Sequence, residues 1–404
     1  EMVSNFMVGL FEDADPIART ERAFGAQQRG QGELTAVEVV NRGRTKLKTE
    51  LLQQPRLRAK LLDSIGNVYL GLDQTSAAES LLKEAEQIRL REFGKNSLEY
   101  AQTMESLGVL YMNRNEARKS ADALMKALAI RRALPEVSPL LVSNTLFHLG
   151  TQELLSYEFD KAEQSLLECL QIRRDHHQVD GKQSDHMDIA AAQIMLAQVY
   201  IGKKELVRGM ALLQQAAVTF DRLQGSNDFS EVLSLFTQAQ ILAKLGNKEP
   251  ARRCFLKMEE KAVKLLGESH TIVAFGRFIF AQFLAENNEL ENAIVKFRQV
   301  IEGYKSSMGP DTAAVAGQLI HLTRVQRRLG DRKAAEISIR ESVRIFRTFK
   351  PTHSFAINHA TSLHIYGAVT DDLGNRSEAE KLLLEAFQVT ERNDLLDTSR
   401  AISI

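Results

Sequence analysis

Small and apolar positions recur along this chain at a spacing of forty-two residues through most of its length. Gly66, Gly108 and Gly150, then Ala197, Ala239 and Ala281, then Thr323 and Gly367 mark one slot. Twelve residues after each comes a second small slot, at Ala78, Ser120, Ala162, Gly209, Ala251, Ala293, Ala335 and Ala379. A fixed period of this size predicts stacked units, each burying its apolar face against its neighbours. In the first unit Leu62, Ile65, Gly66 and Tyr69 fall at i, i+3, i+4 and i+7, one helical stripe. Ala78, Leu82 and Ala85 make a facing stripe on a second helix, and the small residues let two backbones cross closely. Met104, Leu107, Gly108 and Tyr111 with Ser120, Leu124 and Ala127 repeat the pattern, as do Leu146, Leu149 and Gly150 with Ala162, Leu166 and Cys169.

These stripes resemble the tetratricopeptide repeat, whose first helix (A) carries large, small and aromatic positions answered by small, large and small ones on the second (B). Eight units fit over residues 59–392. Gln238 and Thr323 depart from the small or apolar pattern, and Glu153, Gln326 and Thr370 replace the aromatic. The long period resembles the kinesin-light-chain variant. Gly94, Gly267 and Gly309, after Phe93, Leu266 and Met308, suit helix C-caps. The resemblance implies an all-α, right-handed α-α superhelix.

Composition narrows the function. Fifty-two basic and fifty-two acidic residues among 404 cancel, so no net field draws nucleic acid or an anionic membrane. No apolar run reaches the roughly 18 residues of a spanning helix. Cys169 and Cys254 both fall on helix B stripes, where small buried hydrophobes are expected rather than a disulfide.

Ahead of the repeats, Val3, Phe6, Met7 and Leu10 form an apolar stripe that ends at Asp15-Pro16, and Gly25 to Gly32 reads as a loop. A helix is expected from about Leu34 to Leu52, broken at Gln54-Pro55, covering the open face of the first repeat. The expected divisions are 1–32, a juxtamembrane-like helix and loop; 33–58, a capping helix; 59–392, the repeats; and 393–404, a tail. Phe11 to Pro16, Asn41-Arg42-Gly43, and Gln54-Pro55 through Ala59, Leu61-Leu62 and Ile65-Gly66 resemble the region after the spanning helix of bacterial transmembrane serine/threonine kinases. That resemblance implies a kinase domain and membrane span ahead of Glu1, and an extracytoplasmic arm; without it, a cytoplasmic regulator is expected.

The chain itself carries no Gly-rich phosphate loop, His-Arg-Asp catalytic loop or Asp-Phe-Gly motif, so neither catalysis nor a cofactor is expected. His176, His177 and His186, with Asp175, Asp180, Asp185 and Asp188, lie where the period stretches to forty-seven. Imidazole and carboxylate suit a divalent metal. A solvated polar insertion is the plainer reading, and no metal site is assigned.

On helix A, the slots three before and one after the small residue are expected to line the inner groove. The first reads Phe147, Ile194, Phe236, Phe278 and Ile320; the second includes Gln198, Gln240, Gln282 and Arg324. An apolar row beside an amide row fits an extended peptide, with pockets for side chains and partners for its backbone. The same apolar residues would equally serve to wedge adjacent helices together. Asp63 and Glu105 hold the first slot in the opening repeats and argue against capture of an anionic terminus, unless Arg324, Arg327 and Arg328 provide it. A protein- or peptide-binding scaffold is therefore expected, either the arm of a kinase or a free-standing regulator that binds a signalling peptide.

Overall fold

The computed structural model describes residues 51, 53–71, 74–179, 182–183, 186–223, 229–349 and 353–392. The helices and loop expected before residue 50, and the tail from 393, lie outside them. Among the described residues the chain is all-helical apart from one two-residue hairpin. The helices are α1 (Pro55–Gly71), α2 (Thr75–Phe93), α3 (Leu98–Asn113), α4 (Ala117–Ala133), α5 (Pro139–Leu155), α6 (Phe159–His176), α7 (Met187–Gly202) and α8 (Leu206–Arg222). Then follow α9 (Phe229–Lys244), α10 (Lys248–Leu266), α11 (Thr271–Glu286), α12 (Leu290–Met308), α13 (Ala313–Leu329), α14 (Arg332–Phe346), α15 (His353–Asp372) and α16 (Arg376–Arg392). Strands β1 (Gln178–Val179) and β2 (Lys182–Gln183) lie between α6 and α7. Odd-numbered helices are the A helices and even-numbered ones the B helices of successive hairpins.

From α3 onward the same short turn joins A to B. At the residue seven after the small slot the backbone takes positive φ, as at Asn115, Tyr157, Lys204, Asn288, Gly246, Gly330 and Gly374. The next residue's N–H bonds back five positions, for example Glu116 to Tyr111 O at 2.8 Å and Asp331 to Gln326 O at 3.0 Å. This closure satisfies helix-end carbonyls whatever side chain the acceptor carries. Glu153, Gln326 and Thr370 therefore accept the bond as Tyr69 and Tyr111 do. Between B and the next A, Gly94, Gly267 and Gly309 cap α2, α10 and α12 with φ of 83°, 85° and 96° and ψ near 160°. Only glycine occupies that region without strain.

The A–B crossing explains the paired small slots. Gly108 faces Leu124, whose Cγ would lie 2.6 Å from an added Cβ, and Gly150 faces Leu166 in the same way. Leu82, Leu124 and Leu166 are fully buried there. Across the second crossing the Ser120 hydroxyl donates to Gly108 O at 2.8 Å.

The chain divides into two compact units, Glu1–Thr219 and Phe220–Ile404. In the first, α1 to α7 pack each against the next, with further contact between α1 and α3, α3 and α5, and α5 and α7. In the second, α9 to α16 do the same in sequence, and α13 also meets α15. The second unit's core runs without a break from Val232 to Val369. No helix among the described residues is long and apolar enough to cross a membrane.

Candidate binding surface

In the first unit the slot three before the small residue faces an arginine of helix B rather than a groove. Asp63 is 1% exposed, with its Oδ2 3.5 Å from Arg89 Nη1. Glu105 Oε2 lies 2.9 Å from Arg131 Nη2. At the third rung Phe147 stands in place of an acid and is half-buried, with the Arg173 guanidinium 4.8 Å from its ring centre. Each arginine also reaches the next repeat. Arg89 donates to Glu99 O and Thr103, Arg131 to Leu141 O and Thr145, and Arg173 to Asp188 O. Arg89, Arg131 and Arg173 stand forty-two residues apart, so the repeat period itself held this signal. Asp63 and Glu105 are thus internal partners, and the argument they offered against anionic ligands does not stand.

Burial governs Asp63 more than its partner does. Desolvation pushes its carboxyl above the ordinary value, while Arg89 and the hydroxyls of Ser106 and Thr103 pull it back. Burial likewise raises Glu153, which accepts from Ser165 at 2.8 Å, and pushes the Cys169 thiol up to about 11. Such a thiol is protonated and inert at neutral pH. Both cysteines are free thiols; Cys169 is buried, while Cys254 is only half-buried and donates to Gln238 Oε1 at 3.5 Å.

The expected apolar row also divides by burial. Ile194 is 0% exposed, Ile320 5% and Phe236 9%, so these three wedge helices together and present no side chain to a ligand. Phe278 is half-buried, edge-on to His321 at 5.0 Å and to Phe297 at 6.1 Å. Burial, and then Arg324, hold the His321 imidazole below its ordinary pKa, so it packs as a neutral ring. The second row stays accessible: Gln198, Gln240 and Gln282 are half-buried and Arg324 is exposed. Arg327 instead pairs with Asp372 at 2.7 Å. Arg324 and Arg328 are the exposed arginines of α13.

One residue of the surface escaped the two-slot reading. Phe275, one turn before Phe278 on α11, is 49% exposed and rests against Phe236 at 5.7 Å between ring centres. Phe275, Phe278 and Gln282 fall at i, i+3 and i+7, one stripe, and Phe236 and Gln240 follow the same register on α9. The A face of the second unit thus carries an exposed ring on a buried ring, with amides two turns further along the stripe and Arg324 on α13. A further apolar cleft of about 380 Å³ lies in the first unit among α4, α5 and α6, floored by Leu128, Leu146 and Leu149 and rimmed by Arg132 and Glu168.

Comparison with known proteins agrees with this architecture. Residues 57–133 match the family profile described as Tetratricopeptide repeat. No curated protein matches the chain in sequence. Among solved structures, a signal transduction ATPase with numerous domains from Pyrococcus horikoshii, which has a tetratricopeptide repeat sensor, matches at TM-score 0.57 and 12% identity. That match covers 92% of this chain and 54% of the other. The apo quorum sensor NprR from B. thuringiensis matches at TM-score 0.56 and 12% identity over 96% and 98% of the two chains. A Rap protein complexed with competence and sporulation factor matches at 0.53 and 13% over 83% and 92%. Identities this low speak for the fold alone. Residues 57–133 match tetratricopeptide repeats in sequence, and the helical hairpins along the described chain have the tetratricopeptide-type fold.

Proposed function

We propose that this chain is a protein- or peptide-binding repeat scaffold that takes its ligand on the A-helix face of the second unit. The observation that carries this reading is Phe275, a half-exposed aromatic side chain seated on a buried one, with the half-buried Gln240 and Gln282 two turns further along the same face. Such an anchor supplies contact area at little entropic cost, and the amides supply donors and acceptors for a ligand backbone. The similarity to a Rap protein complexed with competence and sporulation factor, and to a quorum sensor, supports a signalling ligand.

The finer reading is that the chain forms the sensory or docking arm of a bacterial serine/threonine kinase whose catalytic domain is not among these residues. It rests on the kinase-like entry: α1 begins at Pro55, and Ala59, Leu61, Leu62, Ile65 and Gly66 are all buried. The other resembling segments, Phe11 to Pro16 and Asn41 to Gly43, lie outside the described residues. The alternative is a free-standing cytoplasmic regulator. The genomic sequence upstream of Glu1 separates them: a kinase domain followed by a spanning helix selects the arm, and a start codon in its place selects the regulator.

The surface is tested by panning a random peptide library on the parent chain and measuring the selected peptides against Phe275→Ala and Gln282→Ala. Phe275→Ala is expected to lose about 2 kcal/mol of binding with little change in thermal midpoint, since its ring is half outside. Undiminished affinity in both variants would reject this face and direct the search to the cleft among α4, α5 and α6.

A further inference from the structure

The connection between α6 and α7 is longer than its counterparts, and its ends are built to meet. His177 is the C-cap of α6, His186 the N-cap of α7, and Asp188 stands in the first turn of α7. Between them Gln178 pairs with Gln183 and Val179 with Lys182 in an antiparallel ladder, closing the connection on itself. The two imidazoles consequently stack, with centroids 3.6 Å apart and planes within 13°. The Asp188 carboxylate lies 3.4 Å from His186 Nδ1 and 4.0 Å from His177 Nε2. All three ligand atoms fall within 4.8 Å of one another. Asp180 and Asp185 lie outside the described residues, and His176 stands edge-on behind His177 with its ring centre 5.1 Å away.

We propose that His177, His186 and Asp188 form a binding site for a divalent transition-metal ion of the zinc class. Two imidazoles and one carboxylate are the donor set such ions select over magnesium or calcium. With metal–ligand bonds of about 2.0–2.1 Å, tetrahedral ligand atoms sit about 3.3 Å apart. The Asp188 Oδ2–His186 Nδ1 separation of 3.4 Å already meets this, with Nδ1 exchanging its cap bond from Asp188 N–H for the ion, and the 4.0 Å between Asp188 and His177 must close by about 0.7 Å. The stacked rings hold their lone pairs in parallel planes, so each ring turns about its Cβ–Cγ bond to converge on a shared ion. Three protein ligands leave a fourth position for water. The nearby Arg173 cation opposes an ion, but its Nη1 is engaged on Asp188 O at 2.6 Å rather than on the carboxylate.

An internal comparison separates this arrangement from ordinary capping. His186 Nδ1 accepts from Asp188 N–H at 3.2 Å, and His270 caps α11 identically by accepting from Ile272 N–H at 3.2 Å. Capping therefore accounts for one histidine. At His270 the preceding helix ends in Gly267, Ile272 holds the acid's place, and Glu268 of that connection is engaged by Arg277 Nη2 at 2.5 Å. The added histidine and aspartate are what the α6–α7 connection has beyond a cap.

The test titrates zinc into the full chain in competition with a chromophoric chelator. One equivalent is expected to bind, and to raise the thermal midpoint. His177→Ala and Asp188→Asn, which leave the His186 ring in its capping place, are expected to weaken zinc about tenfold or more and to abolish the zinc-dependent rise. His270→Ala and His176→Ala are expected to bind zinc as the parent does. Parent chain that binds no zinc, ligand variants that bind it undiminished, or an equal loss in His270→Ala would each overturn the site.

Discussion

At the scale of single residues, the same substitution carries opposite signs in two helices. An added Cβ at Gly108 would meet Leu124 Cγ at 2.6 Å, whereas at Gly317 in α13 it meets nothing within 4 Å. Gly108→Ala should cost about 1–3 kcal/mol by overpacking, of which helix propensity returns no more than about 1 kcal/mol. Gly317→Ala should stabilise by about 0.5–1 kcal/mol. Urea titration of the two variants checks both signs, and a gain at Gly108 would mean the crossing is misplaced. The A–B turn supplies another case. Lys204 sits at φ 63° where Gly246, Gly330 and Gly374 hold the equivalent slot. A side chain there costs about 1–2 kcal/mol, so Lys204→Gly should raise stability by up to about 1 kcal/mol after glycine's entropy is subtracted. An unchanged or lowered urea midpoint would contradict this.

At the scale of elements, the buried arginine ladder binds B helices to the A helices that follow. Asp63 and Arg89 are 1% and 3% exposed, so removing one charge strands the other. Asp63→Asn should cost about 3–5 kcal/mol, and the double variant with Arg89→Met should recover much of it. Additive losses in that cycle would show that the two side chains act separately. The pH dependence has a definite sign. Asp63's folded pKa is raised above 3.8, so its contribution is fully present below the unfolded value and is lost as pH rises through the folded one. Asp63→Asn should remove that component between the two values, seen as a difference in the pH profiles of the thermal midpoint. The same scale explains why aromatic slots drift. The backbone bond that closes each hairpin is made by a carbonyl, so Thr370 holds it at 3.1 Å with its own hydroxyl turned onto Tyr366 O.

At the scale of the whole chain, charge neutrality is achieved pairwise along the array. Arg132 meets Glu168 at 2.6 Å, Lys296 meets Glu259 at 2.7 Å and Arg347 meets Glu385 at 2.8 Å, each joining neighbouring B helices. The Arg132 and Arg347 pairs are exposed and contribute about 0–1 kcal/mol each, whereas Lys296 and Glu259 are largely buried. Their larger consequence is colloidal: with a sequence pI near 7.4 the molecules do not repel one another at that pH. Light scattering at low salt should peak near pH 7.4 and fall on either side; a flat profile would show that association has another origin. The chain is also expected to transfer no phosphate from labelled ATP to a generic protein substrate, since no phosphate loop or catalytic aspartate motif occurs in it. Transfer that persists in purified chain would overturn the non-catalytic reading.

What the sequence by itself determined were features that repeat: the helix pairs, their crossings at Gly108 and Gly150, and the glycine caps at 94, 267 and 309. Each depends on contacts within or next to one repeat, so a periodic pattern encodes it directly. Only the tertiary structure decided which A-face residues remain accessible. Ile194, Phe236 and Ile320 share a register slot with Phe278, yet they are buried while Phe278 stays half-exposed, because neighbouring helices cover equivalent positions to different depths. Phe275 surfaced for the same reason. Likewise, the spacing placed His177, His186 and Asp188 in one loop, but their convergence required the hairpin that folds its ends together.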